Sequence, residues 1–324
     1  MARKPRIHFP GALYHVISRG NHQQDIFLDE RDLKKFLSYL SEYKLRFRFR
    51  LYAYALMKSH FHLLAEVEEA PLSRIMQSLL FRYTRYFNWR YGKIGHLFQG
   101  RYRAILCDKD VYLLELVRYI HLNPVRAKLV SLPEDYRWTG HSEYLGKAKN
   151  ELLDKDLILG QFSKNEPEAR RRYREFVLDR VQEGHQKKYY EVMDQRYLGA
   201  ESFVEQAEAK MGVPERIVFN IPLETITQEV CRHIGIDPDR LYSMTRDRKG
   251  VYGRNMAAFL ARVLSNYLVK DVAQHFGRSP ITMSQGVIKF EEGLRNNGGL
   301  REMIEVIKAD LARMGKRKYN ITIA

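Results

Sequence analysis

The stretch Leu51-Tyr-Ala-Tyr-Ala-Leu-Met-Lys-Ser-His-Phe-His-Leu-Leu-Ala-Glu-Val67 decides how the chain is read. Both halves are apolar and aromatic, and the residues around Met57-Lys58-Ser59 have turn character, so it reads as two strands joined by a tight turn. Side chains alternate faces along a strand, which puts His60 and His62 on one side and Phe61 on the other. Two adjacent imidazoles suit a divalent metal and leave most of its coordination sphere open. A second stretch, Tyr119-Ile-His-Leu-Asn123, reads as helix, where residues four apart share a face. Tyr119 there offers a phenol that can attack, and Asn123 an amide oxygen that can complete a metal site. The set His60, His62, Asn123 and Tyr119 fits metal-assisted cleavage of a phosphodiester by a tyrosine nucleophile. Each part also has a plainer reading: a structural histidine pair, a packing tyrosine, and a helix stop before Pro124.

Composition narrows the partners. The chain has 324 residues, enough for about two domains. A net charge of +16 points to a polyanion, nucleic acid before a membrane surface. Cys107 and Cys231, the two cysteines, stand far apart, which excludes a disulfide scaffold and a zinc knuckle. The basic start, Met1-Ala-Arg-Lys-Pro-Arg6, precedes no apolar run of the signal-peptide kind, and no segment approaches membrane-spanning length. A cytoplasmic, nucleoid-associated protein without membrane contact is expected.

Taken in order, the chain predicts an extended basic arm over 1–10, a strand over Leu13 to Arg19, and a helix opened by Asp29-Glu-Arg-Asp32. The strand pair follows, then a helix begun by Pro71, a strand over Gly100 to Leu106, and the helix bearing Tyr119, capped by Asp108 or Asp110. This is the order of a split βαβ, giving an α+β fold with a ferredoxin-like antiparallel sheet. Arg74, Arg82, Arg85 and Arg90 interleave with aromatics on the helix after Pro71, a pattern suited to phosphates and unpaired bases. Arg101 and Arg103 share a face of the last strand. Tyr112 is a rival to Tyr119 on the same helix, and His121 reads as helix surface or substrate contact.

Residues 147–220 read as a charged helical connector, so the expected domains are 1–146, 147–220 and 221–324. The last is all-α. Met256 to Val269 is an apolar helix, Lys270 to Phe276 a short one, Gly277-Arg-Ser-Pro280 a turn, and Ile281 to Leu294 a second helix. That is helix-turn-helix spacing, with Arg278 and Lys289 as candidate DNA contacts.

Four separated motifs, Phe9-Pro-Gly-Ala-Leu-Tyr-His-Val-Ile-Ser-Arg-Gly-Asn21, Met57-Lys-Ser-His-Phe-His-Leu-Leu64, Leu97-Phe-Gln-Gly-Arg-Tyr102 and Tyr119-Ile-His-Leu-Asn-Pro-Val125, together resemble the REP-associated tyrosine transposases of the HUH nuclease superfamily. The resemblance implies the HUH fold, Tyr119 as nucleophile, His60, His62 and Asn123 around Mg²⁺ or Mn²⁺, and a 5′-phosphotyrosyl intermediate at a single-stranded DNA hairpin. It also implies that the N-terminal arm, with Arg3, Lys4 and Arg6, helps read DNA beside the hairpin. A domesticated, non-cleaving DNA-binding regulator is the alternative, and a relaxase lacks its further histidine or paired tyrosines here. Monomer and homodimer are both compatible with the sequence. Through Tyr252-Gly-Arg-Asn-Met-Ala-Ala-Phe-Leu260 and Val272-Ala-Gln-His-Phe-Gly277, the residues from about Leu223 to Leu294 resemble the C-terminal DNA-binding domain of DnaA, which implies duplex DNA as a partner. Ser279-Pro-Ile-Thr282 stands where that family carries Asp-His-Thr-Thr, so its box specificity does not carry over.

Overall fold

The computed structural model describes residues 7–148, 152–182, 196–209, 217–244, 247–318 and 322–323. Arg3, Lys4 and Arg6 lie outside the described residues. The first strand, β1 (Ala12–Arg19), leads through a short loop to helix α1 (Glu30–Phe47), whose N-cap Asp29 accepts the backbone N–H groups of Arg31 and Asp32. The hairpin follows as β2 (Arg50–Met57) and β3 (His60–Val67), then α2 (Leu72–Tyr91), β4 (Arg103–Cys107) and α3 (Lys109–His121). These four strands stand in the order β2-β3-β1-β4 and pair antiparallel, as the split βαβ arrangement requires, and a short fifth strand from later in the chain lies beyond β4.

Two sheet faces with different neighbours follow from the alternation. Phe61 is fully buried and its ring meets Phe36 of α1 at 4.8 Å. His15, two residues along β1 from Ile17, lies on the other face, where it meets Tyr119 of α3. The α1–α2 layer is aromatic: Phe27, Phe36, Tyr83 and Phe98 contact one another edge-on or tilted.

Strand β4 starts at Arg103, later than expected, because Gly100 adopts φ +60° and delays extended pairing. Arg101 therefore precedes the strand. Helix α3 ends at His121, and a separate turn, α4 (Asn123–Arg126), follows. Pro124 has no N–H to continue the ladder, so Tyr119 and Asn123 sit on either side of a break, not on one regular helix.

The chain forms two compact units, Met1–Lys109 with Leu113–Leu198, and Asp110–Tyr112 with Gly199–Ala324. Much of the segment read as connector thus contributes to the first unit. Helices α5 (His141–Tyr144), α6 (Asp156–Leu159) and α7 (Glu166–Leu178) lie there, and β5 (Tyr197–Leu198) pairs in parallel with β4 at Leu106 and Cys107. On the opposite edge, Leu56 N–H donates to Trp138 O and Gly140 N–H to Tyr54 O. His121 is fully buried, correcting its reading as surface: its Nδ1 lies 2.7 Å from Tyr173 Oη, which also lies 3.1 Å from His141 Nδ1. Tyr173 stacks on Tyr144 at 4.6 Å.

The second unit is helical: α8 (Glu201–Ala209), α9 (Leu223–Ile234), α10 (Asp239–Tyr242), α11 (Arg248–Ser265), α12 (Val269–His275), α13 (Pro280–Asn296) and α14 (Gly298–Lys318), with a two-stranded pair of Ile217–Val218 and Thr322–Ile323. The apolar helix expected over Met256 to Val269 begins earlier and stops at Ser265, because Asn266 takes the left-handed conformation and its N–H returns to Ala261 O. Gly277, at φ +60°, makes the turn between α12 and α13, and Ser279 caps α13 by accepting Thr282 N–H.

Tyr173 tests whether α7 is integral to the first unit. Tyr173→Ala in the full chain removes a fully buried ring and two imidazole partners, so denaturant unfolding should lose about 3–5 kcal/mol. A loss below about 0.5 kcal/mol would mean that α7 is only a surface connector.

Candidate active site and nucleic-acid interface

The register of β1 lays out the face opposite Phe61 as a grid. Ile17 pairs with His62 on one side and Arg103 on the other; Arg19 pairs with His60; His15 pairs with Leu64 and Ile105. Residues directly opposite in an antiparallel pair share a face, so His60, His62, His15, Arg19 and Arg103 all belong to it. The sheet thus brings together the expected histidine pair, the expected Arg103, and two residues the sequence reading passed over.

The first of these is His15. It is fully buried, and its Nε2 lies 3.0 Å from Nδ1 of His62. The two rings stack at 5.3 Å with 25° between their planes. On its other side His15 meets the Tyr119 ring edge-on at 6.2 Å. The His60 and His62 rings lie 5.2 Å apart, nearly perpendicular. His60 Nδ1 is 3.2 Å from Ser59 Oγ. Nδ1 of each member of the pair is therefore engaged, and Nε2 is the second donor atom of each ring. That donor set fits a divalent ion of the Mg²⁺, Mn²⁺ or Zn²⁺ kind.

Electrostatics disfavour the charged form of His15 and of His60. Burial first, and the Arg103 charge second, push His15 down to about 3. Burial and Arg19 push His60 down to about 4. A basic rim of Arg19 and Arg103 disfavours imidazolium and favours an incoming phosphate.

Tyr119 is 1% exposed, Tyr112 3% and Asn123 8%. Arg126 holds the carbonyl of Tyr119 at 2.7 Å and its guanidinium lies 4.5 Å from the Tyr119 ring centre. Tyr112 differs from Tyr119: it groups with the second unit, where its hydroxyl donates to Glu291 at 2.6 Å.

The basic residues of α2 divide by role. Arg82 pairs with Glu42 and lies over the Tyr39 ring, and Arg90 pairs with Asp29 and Asp32, so both tie α2 to the N-terminal part of the unit. Arg85 is exposed and shares the outer stripe with Phe81, 64% exposed, and Trp89, 82% exposed. Those three recur at four-residue spacing, one helical turn apart. In the second unit Arg278 bonds Ser243 O and Met244 Sδ, which fixes the turn to the segment after α10, while Lys289 is exposed on α13. Glu229, His233 and Asp310 cluster with metal-ligand chemistry, but Arg232 Nη2 lies 2.9 Å from both His233 Nε2 and Asp310 Oδ2 and bonds Glu229. A guanidinium already neutralises that cluster.

Comparison with known proteins fits this division. The family described as "Transposase IS200 like" matches residues 9–123, and "Bacterial dnaA protein helix-turn-helix" matches residues 223–289. The chain joins a transposase-like region to a DnaA-type helix-turn-helix. Among curated proteins, it is 32% identical over 87 residues to the chromosomal replication initiator protein DnaA of Sulfurimonas denitrificans, covering 26% of this chain and 20% of that protein. The DnaA of Pseudothermotoga lettingae is 27% identical over 97 residues, covering 30% of this chain and 20% of that one. The chain thus spans about a fifth of the length of these relatives. A solved structure, "Structure of the REP associates tyrosine transposase bound to a REP hairpin", aligns with a TM-score of 0.37 and 17% identity over 48% of this chain and 94% of that chain. No helix among the described residues is long and apolar enough to cross a membrane.

The neutral histidines make stability pH-dependent. His15, His60 and His141 fall from 6.5 to about 3, 4 and 4, and His121 also lies well below 6.5. The unfolded chain takes up these protons near pH 6.5 while the folded chain refuses them, so stability is full above about 6.5 and falls as pH drops toward 4. Asp29, held down to about 2 mainly by Arg90, contributes its loss only below its ordinary 3.8. The melting temperature should therefore decline between pH 6.5 and 5; a flat profile there would show that these imidazoles are protonated in the fold.

Proposed function

We propose that the first unit cuts and rejoins single-stranded DNA at a hairpin, with Tyr119 as nucleophile. The observation that carries the reading is the convergence, on one sheet face, of two adjacent imidazoles, a basic rim, and a tyrosine on the helix that meets that face. His60 and His62, with Asn123 as third candidate ligand, would hold Mg²⁺ or Mn²⁺. When bound, the ion would supply Lewis-acid polarisation of a non-bridging phosphate oxygen. Arg19 and Arg103 would hold the phosphate over the sheet. The Tyr119 oxygen would bond to phosphorus while the bond to the 3′ oxygen breaks, leaving a 5′-phosphotyrosyl bond and a 3′-hydroxyl. Because one phosphodiester replaces another, the reverse attack by a 3′-hydroxyl rejoins strands with no external energy source. The Phe81–Arg85–Trp89 stripe would stack unpaired bases outside the site.

Tyr119 is buried in this structure, so the reaction would include a step that opens its surroundings. The same burial favours a second reading, a regulator that binds DNA without cutting. Tyr119→Phe separates the two. Wild-type protein with a hairpin substrate and Mn²⁺ should give a covalent adduct on a denaturing gel. Tyr119→Phe should bind the hairpin equally and give none, and chelator or His60→Ala should abolish the adduct in an otherwise wild-type background. Trp89→Ala should do the reverse, weakening binding while adduct still forms. Wild-type protein that binds hairpins yet never forms an adduct would establish the regulator.

For the second unit the proposed partner is duplex DNA, with α13 in the major groove. Its support is the helix-turn-helix match and the exposure of Lys289 on α13. Lys289→Ala should weaken duplex binding across sequences and flatten the salt dependence by about one phosphate contact. An unchanged salt slope would remove Lys289 from the interface.

A further inference from the structure

Between Glu69 and Asp108 the chain has no acidic residue and seven cationic ones. Two of these are neutralised from elsewhere in the unit, Arg82 by Glu42 and Arg90 by Asp29 and Asp32. Arg74, Arg85, Lys93 and Arg101 are exposed. On α2, Gln77, Phe81, Arg85 and Trp89 recur every four residues, on the side away from the buried Ile75, Leu79, Tyr83 and Phe87. From Arg74 to Trp89 this outer face is about 22 Å long, the length of about six stacked nucleotides. It continues into the loop after the helix. Gly92, at φ +60°, ends α2, Lys93 N–H donates to Asn88 O, and the Asn88 side-chain amide donates to Gly95 O at 3.0 Å. That clamp holds Ile94, fully exposed, at the apex of the loop. Beyond it, Asn21 N–H donates to Leu97 O and Gln99 N–H to Arg19 O. The far end of the loop is thus joined to β1 at Arg19, the partner of His60 across the sheet.

We propose that the outer face of α2 and the loop over residues 92–96 form one track for the unpaired flank of a DNA hairpin, ending at the sheet margin that carries Arg19 and His60. This rests on the single-stranded DNA reading of the first unit, not on cleavage. Exposed rings can stack on bases only where those bases are unpaired, since a duplex hides their faces. Arg85 lies between Phe81 and Trp89, one turn from each, where the phosphates joining stacked bases would pass. A second copy of the chain would set the same cations against one another, with no acid of this segment to meet them. Ile94, apolar and held at the apex, would close the track as a wedge against the last base before the site.

The test uses the full chain with chelator present, and hairpins carrying thymidine flanks from none to about twelve nucleotides. Affinity should rise at least about fivefold as the flank lengthens and level off near about six nucleotides. Trp138→Phe leaves Trp89 as the one tryptophan. Its fluorescence should then be quenched by a flanked hairpin and not by the same hairpin without a flank. Phe81→Ala and Ile94→Ala should each weaken binding of the flanked hairpin and leave the unflanked one unchanged. Equal affinity at every flank length overturns the inference on wild-type protein alone, with no variant needed. So does quenching of Trp89 by an unflanked hairpin or a blunt duplex. A dimer seen in sedimentation that Trp89→Ala dissolves would make this face a contact between copies, and overturns it as well. Wild-type protein that binds no hairpin, flanked or not, removes the single-stranded DNA reading itself; binding that ignores the flank removes only the track.

Discussion

The alternation of side chains across one hairpin strand is the constraint on which the first unit depends. Phe61 must go into the aromatic layer beneath α1 and α2, and that commits His60 and His62 to the opposite face. A slip of one residue would bury both imidazoles among phenylalanines and put Phe61 in the site. The register is held on both sides: β2 pairs with β3 up to Met57–His60, and β1 pairs with β3 along its full length. Gly20 lets the chain leave β1 tightly; a Cβ there would lie 2.0 Å from the Gln24 carbonyl oxygen. Packing and chemistry are therefore one specification.

Much of this was legible in the sequence, for physical reasons that can be named. Apolar runs bounded by turn residues gave β1, β2 and β3, and an acidic start and a Pro start gave α1 and α2 within a residue or so. The helix-turn-helix was legible because Gly277-Arg-Ser-Pro280 is a local turn signal between two helical runs, and Gly277 indeed takes the left-handed conformation there. His15 and Arg19 were missed although they lie in a recognised strand. Their place beside the histidine pair depends on strand pairing, and a neighbour relation between residues 47 apart has no local signature. The available signal was a histidine and an arginine on the same alternation as one another, in a strand otherwise apolar on that face.

The segment after Gly146 was read from its charge, and its charge misleads. In α7, Arg171 and Arg172 pair with Glu168 along the helix surface, while Ala169, Tyr173 and Val177 form a buried stripe on the other side. Such a helix looks solvated by composition and is anchored by three residues. The arginines of α2 differ in surroundings that composition does not show: Arg82 pairs with Glu42 and Arg90 with Asp29 and Asp32, whereas Arg85 is exposed. Composition counts charges; it does not say which of them are already satisfied.

Both margins of the sheet are finished by chain made later than the strands they cover. Residues 138–140 bond to the outer side of β2, and β5, at residues 197–198, bonds to β4. During vectorial synthesis the four-stranded core is complete once Cys107 has emerged, but its two flanks remain open backbone until the later segments arrive. An open strand margin is a template for pairing with another chain. The interval between making β4 and making β5 is thus the period in which nascent copies on one messenger are most exposed to mispairing, and slow translation across it would lengthen that period.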